Sequence, residues 1–448
     1  MYRSLLLNLT KWKDSRSRKP LIILGARQVG KTYLLNEFGK SKFPQMHSFN
    51  FEREPRAAAV FDRDLNPERI IAELSLLSGK KIEPITDLLF FDEIQAAPKA
   101  LTSLKHFCEQ APELAVCAAG SLLGIHLAQS SFPVGYVDWL DLHPMSFHEF
   151  IIARASEPVR NAYEAVAQGE GISSTAHQMF LDLWREYLVT GGLPEVVSRY
   201  ISHTPGTLEA FTDARVTQQK LINAYLADVA KHSGKVNALH IERTWTSIPQ
   251  QMASAQDMSV GKFRFKDIVP GIHTFGRLAG AIDWLSKAGL ILQTPICERA
   301  EIPLAAFTKS NHFKIYMFDV GILGAMLDLP PSALMSYDFG IYKGYIAENF
   351  VAQALKSARP QCPFFGWAEG KSEIEFLLQG SQTATPVEVK SSNRVRAQSL
   401  RVFNEKYKPQ YSVVVSGRPF EESRNSNGVT TNVQLPLYLS DRAWSYAD

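Results

Sequence analysis

Cysteine is scarce and scattered. Cys108, Cys117, Cys297 and Cys362 form no C-x-x-C pair, which argues against a zinc site and against a disulfide framework. Cys108 and Cys117 stand in apolar surroundings, as the reduced thiols of a cytoplasmic protein do. An excess of one charge is also lacking. Net charge is +3, from 48 basic and 45 acidic residues, so any nucleic acid or membrane partner has to be met by a local patch. No apolar run is long enough to span a bilayer, so no membrane partner is expected. Met1-Tyr-Arg-Ser-Leu-Leu-Leu has too short an apolar core for a signal peptide. There is no internal repeat and no low-complexity tract. What remains is the composition of a globular protein, 45% hydrophobic and 21% charged over 448 residues. A chain of that length divides into roughly three domains.

One stretch organises the rest. Gly25-Ala-Arg-Gln-Val-Gly-Lys31-Thr32 reads G-x-x-x-x-G-K-T, the phosphate-binding loop pattern. The apolar run Leu21 to Leu24 leads into it and suits a buried parallel strand. Tyr33, Leu34, Leu35 and Phe38 follow at helical spacing, which places a helix start near Lys31. The glycines let backbone N–H groups face a phosphate, and the helix dipole adds to the pull on an anion. Gly25, Gln28, Val29, Gly30, Lys31, Thr32 and Tyr33 are the expected contacts to ATP or ADP. Lys31 is expected on the β- and γ-phosphates and Thr32 on Mg²⁺.

Asp87-Leu-Leu-Phe-Phe-Asp92-Glu93-Ile-Gln95 is an apolar run ending in two acids. It fits a buried strand that delivers carboxylates at its C-terminal edge, where open α/β sheets bind ligands. Downstream of a phosphate loop it is a Walker B pattern. Asp92 is read as a Mg²⁺ ligand and Glu93 as the residue that orients or deprotonates the attacking water. Residues 47–51, 114–119 and 137–142 are further strand candidates, and 65–79 a helix. Ser121 has two readings: a sensor on the γ-phosphate or the water, or a cap for the next helix. Ser146 with Glu149 at the third helical position is a capping-box pattern. The nearby His143 and His148 have two readings, ligands or, as is commoner for isolated histidines near a helix start, structural residues.

From 151 to 235 the pattern is helical, with Phe180, Leu183, Trp184, Tyr187 and Leu188 on one face and a tight turn at Gly191-Gly-Leu-Pro-Glu195. This reads as a helical lid. Residues 236–335 contain a helix over 272–288 and two strands, at Leu290-Ile-Leu-Gln-Thr and Phe313-Lys-Ile-Tyr-Met-Phe-Asp319. Helices followed by a two-stranded ribbon suggest a winged helix. It either faces DNA through His273, Arg277 and Lys287 or serves protein packing alone. In 336–448 a helix carries Glu348, and a hairpin sets Glu373-Ile-Glu375 beside Pro386-Val-Glu388-Val-Lys390. Glu388 and Lys390 share one face. Acids with E-x-K are the arrangement of metal-dependent phosphodiester nucleases; an ordinary hairpin with exposed charges carries the same letters. Arg394, Arg396, Arg401, Lys406 and Lys408 follow as a basic run.

The whole chain resembles a family of prokaryotic AAA-type ATPases whose C-terminal half is a winged helix followed by a restriction-endonuclease-like domain. The resemblance rests on Gly25 to Thr32, Phe91-Asp-Glu-Ile-Gln95, Gly120-Ser121, Leu142-His-Pro-Met-Ser-Phe147, Gly191-Gly-Leu-Pro-Glu195, Asp319-Val-Gly-Ile-Leu323, Glu348-Asn349 and Pro386-Val-Glu-Val-Lys390. It implies ATP binding and slow hydrolysis in an oligomeric or DNA-associated setting. That family usually shows S-E-x-D-F where this chain has Ser372-Glu-Ile-Glu375-Phe376, and a longer acid there alters the geometry offered to a metal. Its members also often carry a basic residue where this chain has Tyr136, so no arginine finger is assigned there.

The expectation is therefore an α/β chain with a P-loop ATPase domain over 1–150, a helical lid over 151–235, a winged helix over 236–335 and a nuclease-like domain over 336–448. The expected activity is Mg²⁺-dependent ATP hydrolysis coupled to DNA, in a homo-oligomer, with weak or absent cleavage at Glu348, Glu375, Glu388 and Lys390. The other reading is a nucleotide-dependent switch or scaffold whose C-terminal part binds protein.

Overall fold

In a computed structural model the described residues are 1–126, 133–167, 169, 171–254, 262–337, 342–391, 398–424 and 428–447. They form two compact units. Arg394 and Arg396 lie outside the described residues.

The first unit comprises Met1–His143 with Lys287–Gly289. Its strands are β1 (Leu21–Leu24), β2 (Met46–Asn50), β3 (Leu88–Asp92), β4 (Ala115–Ala119) and β5 (Asp138–Asp141). They make one parallel sheet in the order β2-β3-β4-β1-β5. Every residue of β3 and β4 is buried, because a parallel strand is covered on both faces and has no use for alternation. One core gathers around Phe91, which meets Phe61 edge-on at 5.5 Å and Phe51 at 5.3 Å. Helices Lys31–Lys42, Pro67–Ser78 and Pro98–Gln110 connect the strands. The connections deliver the C-terminal ends of β1, β3 and β4 to one edge.

The second unit comprises Pro144–Ser286 with Leu290–Asp448. It opens on helix Phe147–Arg154, where Ser146 and Glu149 complete the expected capping box. Long helices follow at Ser174–Thr190, Leu208–His232 and Lys235–Ser254. The remaining strands are β6 (Ile291–Cys297), β7 (Thr308–Met317), β8 (Phe364–Glu369), β9 (Ser372–Gln379), β10 (Ala384–Val389), β11 (Tyr411–Ser416), β12 (Glu421–Arg424) and β13 (Thr431–Pro436). They form one mixed sheet in the order β12-β13-β11-β10-β9-β8-β6-β7.

The ribbon read as a wing is thus not free-standing. β6 pairs with β7 antiparallel and with β8 in parallel, which makes the ribbon the edge of the C-terminal sheet. The pairing registers shift within β6 and β8, and such irregularities bend strands. The sheet curls far enough that Tyr316 of β7 meets Phe376 of β9 at 5.5 Å, although β6 and β8 lie between those strands in sheet order. The helical segment also packs on this sheet's end. Tyr163 donates to the Tyr438 carbonyl at 2.9 Å, and the His177 ring lies 2.7 Å from the Tyr438 hydroxyl. Asp319 accepts from the Gly192 N–H at 2.7 Å, so the Gly191-Gly-Leu-Pro-Glu195 turn and the Asp319-Val-Gly segment are one structural feature.

Among the described residues no helix is long and apolar enough to cross a membrane. All four cysteines are free thiols, and burial pushes Cys117 and Cys297 well up from ordinary values.

Candidate functional sites

Two polar clusters stand out, one in each unit. In the first, the chain leaves β1 through Gly25, whose φ is +145°. A Cβ there would sit 2.2 Å from the Leu142 carbonyl oxygen, so only glycine lets β1 and the end of β5 run this close. Gln28 takes a left-handed φ of 64° and is exposed, while Val29 is buried. Arg3 steadies the loop by donating to the Val29 carbonyl at 2.7 Å. Gly30 precedes the helix, which begins at Lys31.

Lys31 folds back over its own loop and donates to the carbonyls of Gly25 at 2.9 Å and Ala26 at 2.8 Å. Burial pushes its pKa down to about 8, against the raising influence of Glu93 and Asp92. Thr32 and Tyr33 are exposed on the first turn. The Thr32 hydroxyl donates to Asp92 at 3.1 Å, and the Asn50 amide donates to the other oxygen at 3.0 Å. Burial moves the Asp92 carboxyl above its ordinary range. Asn50 is opposite Asp92 in the β2–β3 register, so the pairing of two parallel strands sets this contact.

Glu93 follows with a left-handed φ of 50°. A single oxygen, Oε2, accepts from the Gln95 amide at 2.6 Å, the Ser121 N–H at 3.0 Å and the Ser121 hydroxyl at 3.0 Å. Burial raises the Glu93 carboxyl, but these bonds and the charge of Lys31 outweigh it and hold the group below its ordinary range. Gln95 fits because residue 120 is glycine: a Cβ there would sit 2.1 Å from Gln95 Oε1. The Ser121 side chain is thus engaged with Glu93. Asn50, Gln95 and Arg3 escape the sequence reading. A polar residue at the tip of the strand beside Asp92 was the available signal for Asn50.

The second cluster lines a cavity of about 280 Å³. Glu348 comes from helix Tyr342–Ala358, Glu375 from β9, Glu388 from β10, and Lys390 from just beyond it. The expected quartet is brought together. Lys390 pairs with Glu388, and Glu375 accepts from the Val389 N–H at 3.0 Å. Burial, then the charges of Glu388 and Glu348, push the Glu375 carboxyl up to about 8. Glu348 and Glu388 are raised by burial as well. Three residues that the sequence reading missed join them. Lys314 of β7 pairs with Glu373 of β9 and lies 3.7 Å from Glu348, and the Tyr316 hydroxyl donates to Glu348 at 3.2 Å. The raw signal was the alternation in Phe313-Lys-Ile-Tyr, which puts Lys314 and Tyr316 on one face.

The two clusters offer different things to a metal. Thr32 and Asp92 present adjacent hard oxygens, which suits Mg²⁺, an ion that takes one or two protein ligands and completes its shell with phosphates and water. In the second cluster each acid already faces a lysine, an N–H or a hydroxyl. Among the described residues no group of three or more His, Cys, Asp or Glu could hold a metal ion.

The basic run is less free than its letters suggest. Arg401 lies 3.8 Å from Glu405, and Lys406 binds Glu369 at 2.5 and 2.7 Å. His273, Arg277 and Lys287 are exposed. His148 pairs with Glu164.

The known families divide the chain in three. An AAA domain matches residues 17–151, a domain of unknown function (DUF8612) matches 181–333, and another (DUF4143) matches 343–438. No curated protein matches the sequence. Among solved structures, the Walker-type ATPase PABY2304 of Pyrococcus abyssi is similar over 72% of this chain and 94% of its own, at 14% identity and a TM-score of 0.43. The Aeropyrum pernix ORC1 protein, solved in complex with DNA, is similar over 73% and 91%, at 13% identity and a TM-score of 0.28. PCH-2 of C. elegans covers 49% and 70%, at 11% identity and a TM-score of 0.29. None of these three scores reaches the level of a shared whole-chain fold. Over residues 17–151, this chain matches the family model of an AAA domain.

Proposed function

We propose that the protein is a Mg²⁺-dependent ATPase that couples hydrolysis to binding or remodelling DNA. The observation that carries the hydrolase part is the row Thr32–Asp92–Asn50 beside Glu93, at the edge where β1, β3 and β4 end. Thr32 and Asp92 would hold Mg²⁺, which would neutralise charge developing on the phosphates. Lys31 would exchange two neutral carbonyls for phosphate oxygens, a stronger charge-assisted bond. Glu93 would orient the attacking water and take its proton. The loop N–H groups of residues 25–33 would cradle the β-phosphate.

The DNA part rests on exposed His273, Arg277 and Lys287 and on the basic run after Lys390. ATP turnover measured with and without single-stranded, duplex and branched DNA tests it. A severalfold rise with any of these supports coupling; identical rates with all of them reject it.

A second reading has its own observation. Glu93 with three donors on one oxygen is a weak base, and a weak base makes for slow hydrolysis. A chain that holds ATP long and turns it over rarely is a nucleotide switch, with the C-terminal part binding a protein. Stable ATP retention over many minutes, unchanged by DNA, would favour that reading.

A further inference from the structure

The second cluster contains a cation of its own. Lys314 comes from β7, is 7% exposed, and lines the same cavity as Glu348, Glu373, Glu375 and Glu388. Its ammonium pairs with Glu373 and lies 3.7 Å from Glu348 Oε2. It arrives there because the sheet curls, which brings edge strand β7 over β9. Tyr316, two residues on and on the same face, donates to Glu348 at 3.2 Å.

An ammonium offers three N–H donors and a full positive charge. A divalent ion asks for the same carboxylate oxygens, drawn in to about 2.1 to 2.6 Å. The two compete for one place, since a divalent ion beside a fixed buried ammonium meets like-charge repulsion where screening is weak. The acids are not saturated by their partners. Glu388, 3% exposed and lining the cavity, keeps Oε2 buried without a hydrogen-bond partner. The cluster therefore has unspent acceptor capacity, and the residue set still fails to provide a metal site.

We propose that Lys314 is the resident cation of this cluster. It stands in for a divalent ion among the carboxylates and fixes β7 to β9 and to helix Tyr342–Ala358. In the native chain the cavity then excludes divalent ions, and loss of the ammonium converts it into a binding site for one. This inference does not depend on nucleotide hydrolysis.

The test is Mn²⁺ binding to the nucleotide-free full chain, read by electron paramagnetic resonance. An Asp92→Asn background removes any contribution from the first cluster. The Asp92→Asn parent is expected to show no Mn²⁺ site that Glu388→Gln abolishes. Adding Lys314→Ala is expected to create one site at least tenfold tighter than anything in the parent, and Glu388→Gln is expected to remove it. A Glu388-dependent site already present in the parent overturns the proposal, and that arm decides even if Lys314→Ala fails to fold. A folded Lys314→Ala chain, by circular dichroism, that binds Mn²⁺ no better than the parent also overturns it.

Discussion

The Ser121 hydroxyl donates to Glu93 Oε2 at 3.0 Å. Both side chains sit at strand ends of one parallel sheet, Glu93 just past β3 and Ser121 just past β4. The bond favours the ionised carboxylate, and so lowers the pH at which Glu93 loses its proton. A base must be deprotonated to act. The acid limb of the turnover profile should therefore lie low in the native chain and move to higher pH in Ser121→Ala. Glu93→Gln should keep ATP bound and slow turnover by about 10²-fold or more. Turnover measured from pH 5 to 7.5 checks both. An unmoved limb in Ser121→Ala would separate Ser121 from the base.

Lys31 supplies the opposite pH dependence. Its pKa is pushed down to about 8 by burial, so the ammonium that a phosphate needs is lost as pH rises through that value. If only the charged form binds well, affinity for Mg·ATP should fall about tenfold between pH 7 and pH 9, by simple linkage. Lys31→Ala should bind about 10- to 100-fold more weakly at pH 7, the scale of a lost charge-assisted bond. Calorimetric titrations at the two pH values settle it, and a flat affinity for the native chain would contradict the assignment.

What the sequence made legible follows from how local each feature is. The run Leu21–Leu24, the loop and the helix from Lys31 are contiguous, so pattern alone places them. Ser146 and Glu149 are three apart and cap one helix. Asp92 and Glu93 announce themselves at the end of an apolar run. Asn50 does not, because its role comes from lying opposite Asp92 in a neighbouring strand. The surroundings of the β6–β7 ribbon are hidden for the same reason. Alternation shows that two strands pair; it does not show that β6 also pairs with β8, about 70 residues on. Lys314 was hidden one level deeper. Its partner becomes evident only when the curl of the sheet puts it against Glu373.

DNA contact, if it tracks phosphates, should be salt-steep and nearly sequence-blind. Arg401 and Lys406 are each beside a carboxylate, so the removal of either alone should matter little. Replacing Arg394, Arg396 and Arg401 with Ala should weaken binding and flatten the slope of affinity against salt. Fluorescence anisotropy at several salt concentrations reads both. A variant with the parent's affinity and slope would make these arginines ordinary surface.

The second cluster should not cut DNA. Glu348, Glu375, Glu388 and Lys390 line one cavity, yet Lys314 and Lys390 already take up acids that a metal would require. Native protein with Mg²⁺ or Mn²⁺ should leave supercoiled, linear and branched DNA intact over hours. Robust cutting that disappears in Lys390→Ala would refute this.

The same acids give a stability signature. Glu375 has its carboxyl pushed up to about 8 by burial and by Glu388 and Glu348. A raised acid binds its proton more tightly in the folded than in the unfolded state. Its contribution is therefore fully present below the unfolded pKa of about 4.3 and is lost as pH climbs through the folded value. Between pH 5 and 8 the second unit should become steadily less stable from this group alone. Lys31 works the other way in the first unit: its lowered pKa disfavours the fold in full below about 8, and this cost is relieved as pH rises from there towards the ordinary lysine value of about 10.4. Glu375→Gln removes the titrating proton and keeps the size of the side chain. Its loss of stability from pH 5 to 8 should thus be smaller than that of the native chain, in a thermal melt of the second unit's transition. At pH 5, where Glu375 is already protonated, the two should be similar; at pH 8 the variant should melt higher. Equal slopes would mean that Lys314 and Lys390 hold Glu375 ionised, and the cluster would then be a fully charged network.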